Sequence, residues 1–118
     1  MTDGNVSELT TAEQLHEILI SNNGIISFID CYTHWCGPCK ASYPTFKEFA
    51  NRHAEFENIK FYKLNIETPD ADIQQFVEQN NISYIPLFLI VENGQVVHRE
   101  NNVKQLVSSF RIQEKQEN

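Results

Sequence analysis

From Ile25 to Tyr32 the chain is an almost unbroken apolar, β-branched run, and directly beyond it stands Trp35-Cys36-Gly37-Pro38-Cys39-Lys40. The run has strand character. Its near-continuous apolarity predicts a strand covered on both faces, as in a sheet with helices on each side. Gly37 allows a tight turn, and Pro38 presets a helical φ where an N–H would be orphaned anyway. The local order is therefore strand, short loop, CxxC, helix. Two thiols three positions apart on a first helical turn lie on one side. They can close to a disulfide or open to a dithiol with little backbone movement. At a helix N-terminus, oriented N–H groups and the positive end of the dipole favour a thiolate. This predicts a Cys36 pKa lowered toward neutral.

Other landmarks accompany the hexapeptide. Asp30 precedes Cys36 by six residues, and Pro44 follows Cys39 by five. Lys63 opens Lys63-Leu64-Asn65-Ile66, Ile85-Pro86 precedes an apolar strand, and Asn93-Gly94 marks a late hairpin. In this order and spacing, from about Val6 to Ile112, the chain resembles the thioredoxin family. The resemblance implies an α/β thioredoxin fold, a central mixed β-sheet flanked by helices on both faces. It implies a thiol-disulfide oxidoreductase that reduces protein disulfides through a Cys36/Cys39 dithiol-disulfide cycle, as a monomer and without a cofactor. Its partners would be disulfide-containing protein substrates and thioredoxin reductase or an equivalent reductant. Two other readings stand beside this one. A thioredoxin-fold interaction or adaptor module is allowed by Leu87 in place of the usual threonine and by Arg99-Glu100-Asn101-Asn102, which lacks the family's last-loop glycine. A disulfide oxidase or isomerase is disfavoured by Gly37-Pro38, because those members usually carry a histidine between the cysteines.

With 118 residues there is room for one domain with a real core. The expected division is a polar segment over 1–5, the domain over 6–112 and a polar tail over 113–118. A formal net charge of −7 argues against nucleic acid as a partner, since no basic surplus exists to neutralise phosphates. No apolar stretch is long enough for a membrane span. Met1-Thr2-Asp3-Gly4-Asn5 has neither the basic n-region nor the apolar core of a signal peptide, which points to the cytoplasm. Three cysteines, an odd count, fit a catalytic pair in a reducing compartment better than a disulfide scaffold. Zinc fits poorly. His34, Cys36 and Cys39 lack a fourth ligand, and no second CxxC or HxxxH exists, so no metal is expected.

The coarse reading along the chain is β-α-β-α-β-α-β-β-α. Val6 to Leu9 is a short strand. Thr10-Thr11 with Glu13-Gln14 is a capping-box signature for a helix whose stripe is Leu15, Ile18 and Leu19 and which Asn22-Asn23-Gly24 ends. The helix from Cys36 should run to about His53 with a kink at Pro44. Ile59 to Ile66 is a strand. Thr68-Pro69-Asp70 reads as N-cap, first-turn proline and first-turn acid. Pro86 to Val91, then Glu92-Asn93-Gly94-Gln95 and Val96 to Arg99, form a hairpin. A last helix spans about Val103 to Ile112, followed by a frayed polar tail.

Cys36, first in the motif, is the expected nucleophile. Cys39, one turn deeper and better shielded, is the resolving thiol that attacks the mixed disulfide and expels reduced substrate. Asp30 lies in an apolar strand on the face of Phe28 and Tyr32. Burial there is costly and should raise its pKa, which suits proton shuttling near neutral pH. The resemblance makes Asp30 the proton acceptor for Cys39 and Lys63 its partner. It also implies a cis Ile85–Pro86 bond facing the CxxC. Trp35, Gly37, Pro38 and Ile85 would then form a mostly apolar rim where an extended substrate pairs beside Pro86. Cys31 should point to the opposite sheet face as a buried small hydrophobe, with a redox-regulatory thiol as the alternative. Tyr32 stands where many bacterial members carry tryptophan, and His34 reads as a solvated loop residue.

Overall fold

The computed structural model describes residues 2–20 and 24–117, with side chains described over 3–20 and 24–110. In chain order the elements are β1 (Thr2–Asp3), β2 (Val6–Glu8), α1 (Ala12–Ile20), β3 (Ile26–Tyr32), α2 (Gly37–Arg52) and β4 (Ile59–Asn65). They continue with α3 (Ala71–Gln79), β5 (Leu87–Glu92), β6 (Gln95–Glu100) and α4 (Val103–Glu117). The strands make one sheet in the order β1-β2-β4-β3-β5-β6. β2 and β3 both pair parallel with β4, and β5 and β6 add antiparallel. The helical crossovers set the parallel pairs, and the tight 93–94 turn sets the antiparallel β5–β6 pair.

β3 is central and covered on both sides, as its composition requires. Its residues alternate between two cores. Ile29 and Cys31 join Leu64, Leu87 and Leu89 under α1 and α3 in an aliphatic layer. Phe28 faces the other way, into a layer with Phe46, Phe49, Phe61, Phe88 and Phe110 under α2 and α4. That layer is held by ring packing: Phe28 stacks on Phe61 at 4.9 Å and meets Phe110 edge-on at 5.1 Å. Asp30, two residues after Phe28, therefore projects into the aromatic side.

Local signals act as the chemistry of each dictates. The Thr11 hydroxyl accepts the Gln14 N–H at 3.2 Å, and Gln14 Oε1 accepts the Thr10 and Thr11 N–H groups at 2.8 and 3.1 Å. This is the reciprocal capping box. Asn93 and Gly94 both have positive φ, 52° and 76°, as the two-residue hairpin turn demands.

Three expectations are corrected. Residues 2–3 form a strand ahead of the one expected first, at Val6. They pair antiparallel with β2, Thr2 opposite Ser7 and Asp3 opposite Val6, around Gly4 at φ 61°. The Gly4-Asn5 dipeptide is the hairpin signal that sequence reading passed over. The N-cap of α3 is Asp70, not Thr68: Asp70 Oδ1 accepts the N–H groups of Asp72 and Ile73, each at 3.0 Å. A carboxylate two residues later than expected is the better acceptor, and Pro69 stays outside the helix. Pro44 lies inside α2, as expected, and deprives the Lys40 carbonyl of its helical donor. Finally, α4 stays helical to Glu117 rather than ending near Ile112. The apolar stripe stops there, but Arg-Ile-Gln-Glu-Lys-Gln-Glu contains no helix breaker. The expected stop at Asn22-Asn23 lies outside the described residues; α1 has its last helical residue at Ile20. Among the described residues, no helix is long and apolar enough to cross a membrane.

Candidate active site

β3 delivers the chain through Thr33, His34 and Trp35 to Cys36, which caps α2 in an extended conformation (φ −81°, ψ 108°). The Cys36 sulfur takes the place that a serine or aspartate oxygen holds in ordinary caps. It accepts the Cys39 N–H at 3.1 Å. Pro38 occupies the first turn, so its missing N–H leaves nothing unsatisfied. Cys36 and Cys39 are joined as a disulfide with their Cα atoms 5.3 Å apart. Reduction would leave Cys36 with a helix N-terminus and an aimed N–H, both of which favour its thiolate.

The expected difference in shielding is absent from this disulfide form. Cys36 is 4% exposed and Cys39 3%. The bond ties both sulfurs to the same end of the helix, so position in the cap, not exposure, distinguishes the two cysteines. Trp35, next to Cys36 in the chain, is 69% exposed, its indole N–H donating to Glu67 Oε1 at 2.9 Å. Gly37 and Pro38 are exposed as well, while Ile85 and Pro86 are half-buried. The Ile85–Pro86 bond is cis. Leu87 pairs with Cys31, so Pro86 sits at the end of β3 from which the chain leaves toward Cys36. Tyr84, half exposed beside Ile85, extends this surface and was not anticipated.

Asp30 is 2% exposed and packs between Phe88 on β5 and Lys63 on β4 in the strand register. Burial pushes its carboxyl up to about 7; the Lys63 ammonium opposes that and Glu8 adds to it. Its Oδ1 has no hydrogen-bond partner among the described residues. Asp30 and Cys39 line the same cleft of about 250 Å³, with Tyr43, Pro44 and Lys63. A larger cavity of about 450 Å³ between α1 and α3 contains neither a thiol nor Asp30 and has no part in this chemistry.

Lys63 lies beside Asp30, as expected, but the ion pair it makes among the described residues is with Glu8, Nζ to Oε1 3.9 Å. Its ammonium also sits 5.1 Å from the Tyr43 ring centroid. The Tyr32 hydroxyl donates to Glu8, 2.9 Å from both carboxylate oxygens. Glu8 and Glu67 were both missed. Neither lies near the motif in sequence, and only strand pairing brings them there. Cys31 is free and fully buried on the far sheet face, where burial raises its pKa well above the ordinary thiol range. Among the described residues, no cluster of metal-ligating side chains exists.

The thioredoxin family model matches residues 6–111. A thioredoxin of Mycoplasma pneumoniae is 36% identical over 94 residues, 80% of this chain and 83% of that protein. A Neurospora crassa thioredoxin is 31% identical over 97 residues, 82% of this chain and 71% of that one. Among solved structures, thioredoxin from Trypanosoma brucei brucei superposes with a TM-score of 0.78 at 21% identity, covering 95% of this chain and 93% of that one. A chain of the ferredoxin: thioredoxin reductase and thioredoxin f2 complex gives 0.75 at 23% identity, covering 97% and 99%. The redox pair in a helix cap, the mixed sheet behind it and these likenesses agree: the chain belongs to the thioredoxin family and is a thiol-disulfide oxidoreductase that reduces protein disulfides.

Proposed function

We propose that Cys36 attacks the substrate disulfide, Cys39 resolves the mixed disulfide, and Asp30 accepts the Cys39 proton. In the first step the Cys36 thiolate bonds to one substrate sulfur and expels the other as a thiolate. In the second, Cys39 passes its proton to the Asp30 carboxylate, its sulfur attacks Cys36, and the remaining substrate sulfur leaves. The substrate gains two electrons and this chain is left with the Cys36–Cys39 disulfide. The observation that carries the assignment is the Cys36 sulfur acting as N-cap acceptor of the Cys39 N–H. Asp30 is supported by sharing a cleft with Cys39 and by a carboxyl raised into the range where a proton carrier works. Lys63 acts electrostatically, as the cation that Asp30 faces.

Trp35, Gly37, Pro38, Ile85 and Pro86 are the substrate platform in this reading, apolar and without an enclosed pocket, which suits an extended segment of another protein. Electrons return from a thioredoxin reductase or an equivalent reductant; the neighbour found in a complex with ferredoxin: thioredoxin reductase supports such a donor. The chain acts as a monomer in the cytoplasm, consistent with its buried free third cysteine. Insulin reduction tests the roles. Cys36→Ser should abolish turnover, and Cys39→Ser should accumulate a substrate mixed disulfide visible on non-reducing gels. Turnover that persists without Cys36 would overturn the mechanism.

A further inference from the structure

Lys63 is flanked by two carboxylates. On one side the β2–β4 register sets it against Glu8, and on the other the β3–β4 register sets it against Asp30. The ammonium's choice between them is visible. Among the described residues its ion pair is with Glu8, and Asp30 Oδ1 has no hydrogen-bond partner. Glu8 is itself held in place by the Tyr32 hydroxyl, which reaches both its oxygens. We propose that Glu8 is a positioning residue for the resolving step: it anchors Lys63 on the β2 side and so withholds it from the Asp30 carboxylate. This inference rests on the proton-acceptor role of Asp30 proposed above.

The physical reason is competition for one cation. An ammonium seated directly on Asp30 would stabilise its charged form and lower its affinity for a proton. A carboxylate so lowered is a poor acceptor for a thiol proton near neutral pH. Glu8 opposes this twice, by holding the cation and through its own negative charge. The other groups around Asp30 do not take over the role. Tyr32 is committed to Glu8, and the Tyr43 hydroxyl donates to Asp3 at 2.7 Å. Lys40 is exposed, as is His34 on the connecting loop, while Cys39 is the reaction partner and the β5 residue opposite Asp30 is the apolar Phe88.

Carbon-13 NMR titration of the Asp30 carboxyl in the full-length oxidised protein tests this without turnover. Glu8→Gln keeps an acceptor for Tyr32 and removes the charge. It should move the Asp30 midpoint down by about one pH unit or more, the size of effect an opposite charge at close range produces. The pH profile of mixed-disulfide resolution should move down with it. In a Lys63→Met background the same change at Glu8 should shift Asp30 by less than half as much. Should Glu8→Gln not fold, Glu8→Asp, which draws the carboxylate back by one methylene, gives the same readout. An unmoved Asp30 midpoint, or an equal shift with Lys63 absent, would overturn the inference. If Asp30→Asn resolves mixed disulfides at the normal rate, the proton-acceptor reading fails, yet the titration still decides whether Glu8 governs Lys63.

Discussion

Replacing Asp30 with asparagine should stabilise this protein in a pH-dependent way while slowing its chemistry. The carboxyl is raised from an ordinary 3.8 to about 7, chiefly by burial. A folded-state value above the unfolded one means that ionisation favours the unfolded chain. The penalty is absent below about pH 4, grows through the interval to pH 7, and is complete above it. A span of about 3 pH units, at about 1.4 kcal/mol each, sets a ceiling of roughly 4 kcal/mol. The amide falls short of that ceiling because its own N–H groups also need partners in a site where Oδ1 has none among the described residues. A gain of about 2–4 kcal/mol at pH 8, vanishing near pH 4, is the expectation. Urea unfolding of both oxidised proteins across this range measures it, since groups common to both cancel in the difference. Rapid mixing with a disulfide substrate should place the kinetic defect in release of the mixed disulfide, not in the first attack. A stability difference that ignores pH, or a loss of stability, would show Asp30 to be a structural carboxylate.

Two further outcomes follow from the fold. Gly94→Ala should lower stability by more than about 1 kcal/mol, because Gly94 has φ 76° and an added Cβ would press into the Leu19 carbonyl; the urea midpoint should fall with the slope unchanged. Cys31 should resist iodoacetamide in the folded oxidised protein and react only as urea unfolds it, because the thiol is fully buried and its ionisation is suppressed by desolvation; alkylation at the rate of an exposed thiol under native conditions would contradict that placement.

Much of the site was legible because its chemistry is local. Trp35-Cys36-Gly37-Pro38-Cys39 carries its own turn, its own cap and its own disulfide geometry within five residues, and the strand before it is recognisable from apolarity alone. The burial of Asp30 and Cys31 on opposite faces followed from the two-residue period of a strand. Boundaries set by single hydrogen bonds were harder. Thr68 and Asp70 are both capable N-caps, and the backbone's choice of Asp70 depends on where the chain leaves β4. The β1 hairpin was missed because two paired residues carry almost no periodic signal.

The sequence by itself determined the redox pair, the alternation of helices and strands, and which strand faces would be buried, because each rests on contacts within a turn or two of chain. Only the tertiary structure decided which charges meet. Glu8, Asp30 and Lys63 lie on three different strands, and the parallel pairing of β2 and β3 with β4 puts the lysine between the two carboxylates. That cation's ion pair is with Glu8, which the Tyr32 hydroxyl holds, and its ammonium lies 5.1 Å from the Tyr43 ring centroid. Such a balance is a sum of electrostatic terms over a few ångströms, and separation along the chain carries no information about it.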